Sequence, residues 1–315
     1  MAEGIEGPIV FEFRVPNELE GQRLDRFLEW RIPRLSRERA QAIIRACARN
    51  ADGSTRHPWE RVRAGEKVVL VRERFLEPEA PRHFELLYQD EVLVVVEKPP
   101  GLPVHPSPTY RRNTLSYLLD ERFGPGAFRI THRLDKETSG LVVCARPGPA
   151  EVAMKRQFQE RKVQKEYLAI VRGLVQADRF TIDLPLGRSR GPLHMCMEVN
   201  PQGDEAVTEV EVIERKGNRS LLRLRPRTGR QHQLRVHLSA IGHPILGDKL
   251  YGPGGAELFL AWLSQGMTPE IQAALGHARQ ALHAASIAFE HPLSGEKMRF
   301  HSRLPPDLVK LWEEG

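Results

Sequence analysis

A chain of 315 residues, 40% hydrophobic and 28% charged, can bury a sizeable core and has room for two domains. Its formal net charge of +6 favours anionic partners, nucleic acid or a membrane surface. Three scattered cysteines (Cys47, Cys144, Cys196) with no Cys-x-x-Cys argue against a disulfide framework or zinc ribbon, and no apolar run approaches the length of a membrane span.

The opening residues carry no basic start followed by an apolar run, so no signal peptide is expected and a cytoplasmic location is. Residues 8–16 alternate as a strand. Leu24, Phe27 and Leu28 then share one helical face, with Arg23, Asp25 and Arg26 off it. Ser36 stands where an N-cap would, ahead of a second helix striped by Ala40, Ile43 and Ile44. Residues 62–71 read as a turn and a strand. From Gly21 to Phe75 there are 14 Lys/Arg against 7 Asp/Glu, a surplus of seven that exceeds the net charge of the whole chain. Two basic helices before a small strand suit contact with RNA phosphates, though a solvated basic surface would look the same. Gly21-x-Arg-Leu-Asp-x-Phe-Leu, Leu35-Ser-Arg and Ala64-Gly-Glu-Lys-Val resemble the small RNA-binding domain named after ribosomal protein S-four. The family's Val-Asn-Gly turn is replaced here by Ala48-Arg-Asn-Ala-Asp-Gly-Ser.

The Pro- and charge-rich residues 76–84 read as a linker, which divides the chain into domains 1–80 and 81–315. Val92–Val96 is a buried strand running into a stiff proline loop, Glu97 to Pro108, of the kind that lines a site. Asn113–Phe123 reads as a helix. The strands Phe128–Thr131 and Leu141–Val143 hold between them a loop crowded with charge: His132, Arg133, Asp135, Lys136 and Glu137. Such a loop is usually a solvated turn, but a rigid scaffold presenting charge is also how reacting groups are positioned.

Pro149–Arg161 is a helix with a basic face, and a strand with Tyr167 near its start follows. Residues 208–214 and 220–226 alternate as strands. A glycine turn at Thr228-Gly-Arg opens a predicted helix holding Arg230, His232, Arg235 and His237, ended by Gly242 and Pro244. Residues 253–280 read as an inserted helical segment, Leu282–Glu290 as a late strand and Pro305–Trp312 as a closing helix. Strands outnumber helices after residue 85 and several follow one another directly. An α+β domain is expected, a mixed, mostly antiparallel sheet with helices packed on it, behind a small α/β domain.

No phosphate-cradling glycine loop and no Gly-x-Ser-x-Gly elbow is present. His232, His237 and His243, spaced by five and six, do not stack on one helical face, and Asp248 is the one carboxylate near enough to complete a metal set. An aspartate used without metal or cofactor remains. A carboxylate can attack a sugar carbon or steady its developing positive charge. An arginine would keep it ionised, an aromatic ring would stack on a flipped base, and basic residues would hold phosphates.

His132-Arg-Leu-Asp-Lys-Glu-Thr-Ser-Gly-Leu141 resembles the signature of the RluA-type pseudouridine synthases. So do Lys165-Glu-Tyr167, Thr228-Gly-Arg-Gln-His-Gln-Leu-Arg-Val-His237, His243-Pro-Ile-Leu-Gly-Asp-Lys-Leu-Tyr251 and Leu282-His-Ala with His291-Pro292. They occur in family order across most of residues 85–300. The resemblance implies that Asp135 breaks the uridine N-glycosidic bond and lets carbon five re-form it. It implies that Tyr167 packs on the base and takes the carbon-five proton, and that Arg235 pairs with Asp135. Arg133 would fill the gap left by the flipped nucleotide, with His132, Arg230 and Leu246 as further substrate-binding residues. Gln231 stands where the family commonly has Thr or Ser. The rearrangement needs no metal, nucleotide or other cofactor. Structured RNA is the expected partner, large-subunit ribosomal RNA first and transfer RNA second, for a monomeric enzyme. An inactive RNA-binding factor and a base-releasing N-glycosidase are the other readings. The intact Asp135, Tyr167 and Arg235 set speaks against the former, and a site that retains uracil would exclude the latter.

Overall fold

The computed structural model describes residues 9–32, 35–50, 52–72, 77–189, 191, 193 and 195–314. The signal-peptide reading, Pro8 of the first strand, Ala51 of the basic turn and residue 76 of the linker lie outside them. The chain divides into two compact units, Met1–Glu79 and Ala80–Gly315. No described helix is long and apolar enough to cross a membrane.

In the small unit, strands β1 (Ile9–Arg14), β2 (Ala48–Arg49) and β3 (Lys67–Arg72) form an antiparallel sheet in the order β1-β3-β2. Helices α1 (Leu24–Arg31) and α2 (Arg37–Cys47) bury Leu24, Phe27, Leu28, Ala40 and Ile44, the stripe that helical spacing predicts. The Ser36 hydroxyl accepts from the Arg39 amide at 3.4 Å and so caps α2. Asp25 departs from expectation. It is fully buried rather than turned away with the polar residues. Its carboxylate accepts from Arg23 at 3.0 and 2.8 Å, Arg37 at 3.4 Å, Gln41 at 2.9 Å and the Arg26 amide at 3.0 Å. The positive surplus of α1 and α2 makes this possible, because a buried charge persists only when paired. Arg26, Arg31, Arg39 and Arg45 stay exposed.

The large unit is built on a ten-stranded sheet. Its strands are β4 (Glu85–Gln89), β5 (Leu93–Lys98), β6 (Arg129–Ile130), β7 (Ser139–Ala145), β8 (Gln164–Arg172), β9 (Arg179–Asp183), β12 (Val207–Lys216), β13 (Arg219–Pro226), β14 (Leu282–Glu290) and β15 (Lys297–His301). The order is β4-β5-β7-β14-β8-β13-β12-β9, with β6 paired to β7 and β15 to β14. Among the described residues only β7 and β14 run parallel; the other pairings of this sheet are antiparallel. A separate hairpin joins β10 (Leu186–Arg188) to β11 (Met197–Val199).

Strand β7 is buried at every residue because the sheet is covered on both faces here. On one face Val94, Val96, Val142 and Cys144 meet α3 (Leu115–Phe123). On the other Leu93, Val95, Leu141 and Val143 meet α4 (Pro149–Gln159) through Ala150 and Met154. Each such side chain is worth roughly 1.5–3 kcal/mol, so this strand pair is a firm base for the loops at its ends. Strands β8, β9, β12 and β13, with Leu282 of β14, pack on α5 (Gln233–Ala240) and α8 (Pro306–Glu313). Residues 253–280 contain α6 (Gly255–Gln265) and α7 (Pro269–Leu275), matching the helical reading.

One glycine is required where β7 joins β14. Gly140 has φ +111°, and a Cβ there would lie 2.3 Å from the Ala284 carbonyl oxygen. Without a side chain the two strands close at His283–Ser139, which brings the loop before β7 to the end of β14, the strand that also pairs with β8.

Candidate active site

The loop holding Asp135 is tied down from several distant parts of the chain. Its Lys136 carbonyl accepts from the Gly101 amide at 2.9 Å and from Lys98 Nζ at 3.0 Å. Lys98 also donates to the Pro99 and Leu102 carbonyls, both at 2.9 Å. Burial pushes its amine down to about 7, with the charge of Arg279 acting the same way. Three carbonyl acceptors nevertheless match the three hydrogens of an ammonium, which a neutral amine lacks. The stiff proline loop is thus fastened under the Asp135 loop. On the far side Lys249 Nζ reaches Glu137 at 2.6 Å, and Gln280 Nε2 donates to Thr138 Oγ1 at 2.6 Å.

Asp135 faces a cavity of ≈ 630 Å³. Arg235 Nη1 donates to Asp135 Oδ2 at 2.8 Å. The same guanidinium grips Asp248 with Nε and Nη2, at 2.7 and 2.8 Å, and lies over the Tyr251 ring, 4.9 Å from its centroid. Asp248 is buried and further accepts the Leu250 and Tyr251 amides at 2.9 and 3.1 Å. Arg235 is therefore aimed by Asp248, and Asp135 receives its remaining nitrogen. Burial pushes the Asp135 carboxyl up, but the Arg235 guanidinium, followed by His232, outweighs it and holds the group below the usual aspartate range. The aspartate is ionised at neutral pH, with 23% of its side chain open to the cavity.

Tyr167, on β8, lines the same cavity. Its hydroxyl has no hydrogen-bond partner among the described residues. Burial, and then the Asp135 charge, raise the phenol far above its ordinary value, so it is protonated at rest. Arg133 is exposed at the cavity wall. His132 lines it too, with Nε2 accepting from the Val143 amide at 3.0 Å. That bond and the fall of its ring to about 3, caused by burial, make it a neutral wall rather than a cation. Arg230 also borders the cavity while its Nε donates to the Glu205 carbonyl at 3.0 Å.

Leu246 is not brought to the cavity; it is a buried member of the core cluster against which Tyr167 packs. The predicted helix also needs correction, since α5 begins at Gln233 and leaves Arg230 and His232 in the turn before it. His232 is left-handed (φ 56°), which stops the helix from extending backwards. The turn is closed by Gln233 Oε1, which accepts from Thr228 Oγ1 at 2.8 Å and the Arg230 amide at 3.0 Å. The three histidines considered for a metal are spent differently. His232 Nδ1 meets the Tyr251 hydroxyl at 2.7 Å, His237 bonds Thr208 and the Leu184 carbonyl, and His243 bonds the Arg172 carbonyl.

Sequence reasoning missed what Asp248 and Lys98 do. Asp248 entered only as a possible metal ligand, and its sole signal was the Gly-Asp-Lys-Leu-Tyr string. Lys98 stood in a proline loop with nothing to mark it as buried.

Residues 92–240 match the family model described as RNA pseudouridylate synthase. The chain is 35% identical to ribosomal large subunit pseudouridine synthase D of Haemophilus influenzae, covering 96% of this chain and 94% of that protein. It is 37% identical to an uncharacterised RNA pseudouridine synthase of Aquifex aeolicus, over 94% of each chain. Among solved structures it is similar to human RNA pseudouridylate synthase domain containing 1, with a TM-score of 0.57, 31% identity, and coverage of 75% of this chain and 89% of that one. With that similarity spanning nearly its whole length, the chain belongs to the RNA pseudouridylate synthase family of enzymes.

Proposed function

We propose that this enzyme isomerises uridine in large-subunit ribosomal RNA, using Asp135 as its nucleophile. The observation that carries the reading is an ionised aspartate, held by Arg235, facing a cavity that also presents the unpartnered hydroxyl of Tyr167. The Asp135 carboxylate adds to the sugar carbon, or steadies its developing charge, as the N1–C1′ bond breaks. The freed uracil turns, and carbon five bonds to C1′ as the bond from Asp135 breaks. The carbon-five proton leaves to restore the ring, N1 takes up a proton, and no atom is gained or lost overall. Tyr167 packs under the ring. Because its phenol starts protonated, it can accept that proton only by passing its own to another group, and Asp135 is the carboxylate whose charge reaches it. A flipped base is needed to reach such a site, and Arg133, exposed at the cavity wall, would fill the vacated stack. Arg230 would add a phosphate contact, His132 a neutral wall, and Leu246 support behind Tyr167.

The substrate follows from the relatives, several of which are named for the ribosomal large subunit. Transfer RNA is the second choice, and the enzyme is taken to work as a cytoplasmic monomer. A pseudouridine map of total RNA from cells lacking the protein should miss one or a few large-subunit sites. They should return with the intact gene and not with Asp135→Ala. A map with no missing site would sink the substrate.

The small unit is proposed as the RNA grip, an S-four-like domain with exposed arginines on two helices. Removing residues 1–79 should weaken RNA binding about tenfold or more and flatten its dependence on salt, since each lost phosphate contact removes about 0.7 from the slope on single strands and about 0.9 on a B-form duplex. Filter binding at several salt concentrations reads this. An unchanged slope would assign the grip to the large unit.

A further inference from the structure

A second cavity of ≈ 490 Å³ adjoins the first, and the two share Arg161, Val163, Lys165, Pro226 and Arg227 in their walls. Its cations are mostly accounted for. Arg161 pairs with Glu205 at 2.7 Å, Arg225 with Glu166 and Glu211 at 3.1 Å each, and Arg227 with Glu209 at 2.7 Å. Two are not. Among the described residues Arg299 reaches only the neutral Gln164 side chain, at 3.2 Å. Lys165 has no hydrogen bond and no ion pair among the described residues.

Lys165 is the unusual member. It lies two residues before Tyr167 on β8, so strand alternation places both side chains on one face of the sheet. It is largely sheltered, and burial lowers its amine below the ordinary lysine value. A sheltered cation without a counter-charge costs free energy unless something supplies one. Gly229 lies beside it: a Cβ there would stand 3.6 Å from Lys165 Nζ, an ordinary contact distance. The Asp135 charge is already taken by Arg235. Uridine brings none in its neutral base and sugar. The anions that arrive with an RNA strand are its phosphodiesters.

We propose that Lys165, in the wall that the two cavities share, receives the phosphodiester next to the flipped uridine, so that the two adjoining cavities form one nucleoside site and one backbone site. This rests on the uridine reading of the first cavity. It gives that site a way to distinguish a uridine within a strand from a free nucleoside, and to fix the register of the strand on the sheet. Phosphate contacts act in this way elsewhere, setting position without reading sequence.

The test compares three small ligands by chemical-shift titration at millimolar concentration: uridine, uridylyl-3′,5′-uridine, and the same dinucleotide with a neutral methylphosphonate linkage. The full-length protein should bind the charged dinucleotide about tenfold more tightly than the neutral one. Lys165→Met should bind the two dinucleotides alike and keep its uridine affinity. Lys165→Arg should restore the preference, which separates a lost charge from a disturbed fold. A preference that survives in Lys165→Met overturns the role of Lys165. Equal binding of both dinucleotides by the unaltered protein overturns the backbone site while leaving the nucleoside site standing. Failure of uridine itself to bind overturns the reading of the first cavity, and the backbone site with it.

Discussion

Asp135→Asn is expected to abolish pseudouridine formation, by roughly 10⁴-fold or more, with the fold intact. Asparagine has the same shape and can still accept from Arg235 through its carbonyl. It lacks the charge and the nucleophilic oxygen. Mass spectrometry of modified RNA reads the product, and calorimetry reads the fold. Turnover within tenfold of the unaltered enzyme would remove Asp135 from the chemistry. The pH dependence follows from the same carboxyl. Its folded-state value lies below the unfolded one, because the Arg235 guanidinium outweighs burial. Ionised Asp135 therefore adds stability that is fully present above the unfolded value of about 3.9 and is lost as pH falls through the folded value. Activity limited by this group should persist to a lower pH than an ordinary aspartate allows.

Arg235→Leu is expected to cost about 3–5 kcal/mol of stability as well as the activity. It would leave Asp248, 1% exposed, charged and without its guanidinium partner, held by two amides alone. Asp135 would lose its ion pair too. The double variant Arg235→Leu with Asp248→Leu should recover much of the stability and none of the activity, since it removes the stranded charge but not the need to hold Asp135. Denaturant midpoints followed in the large unit check this. A single variant as stable as the unaltered protein would mean that the Arg235–Asp248 pair does not support the fold.

These two results would separate the residue that reacts from the residues that aim it, and the sequence distinguishes the two only in part. Asp135, Tyr167 and Arg235 stood out because each carries chemistry in a recognisable string. Asp248 aims Arg235 from thirteen positions away, across a turn. Lys98 fastens the Asp135 loop from thirty-eight positions away, through the Lys136 carbonyl. Neither partnership leaves a period or a spacing along the chain, because the pairing depends on which loops the sheet brings together.

What the sequence determined alone is the local layer. Helical stripes, the Ser36 cap, alternating strands, the α+β class and the motif residues are all readable from near neighbours, because side-chain period and turn chemistry act over a few residues. The tertiary structure decided the rest. It buried Asp25 by bringing to it Arg23, just before α1, and Arg37 of α2. It started α5 after His232, because the side chain of Gln233 closes the turn before it. It sent Leu246 into the core rather than to the cavity wall. It left Lys165 without a counter-charge among the described residues, beside the cavity that Asp135 faces. Burial and charge balance are properties of the whole packed unit, so a residue's neighbours in space, not its neighbours in the chain, set whether it is stranded, paired or hidden.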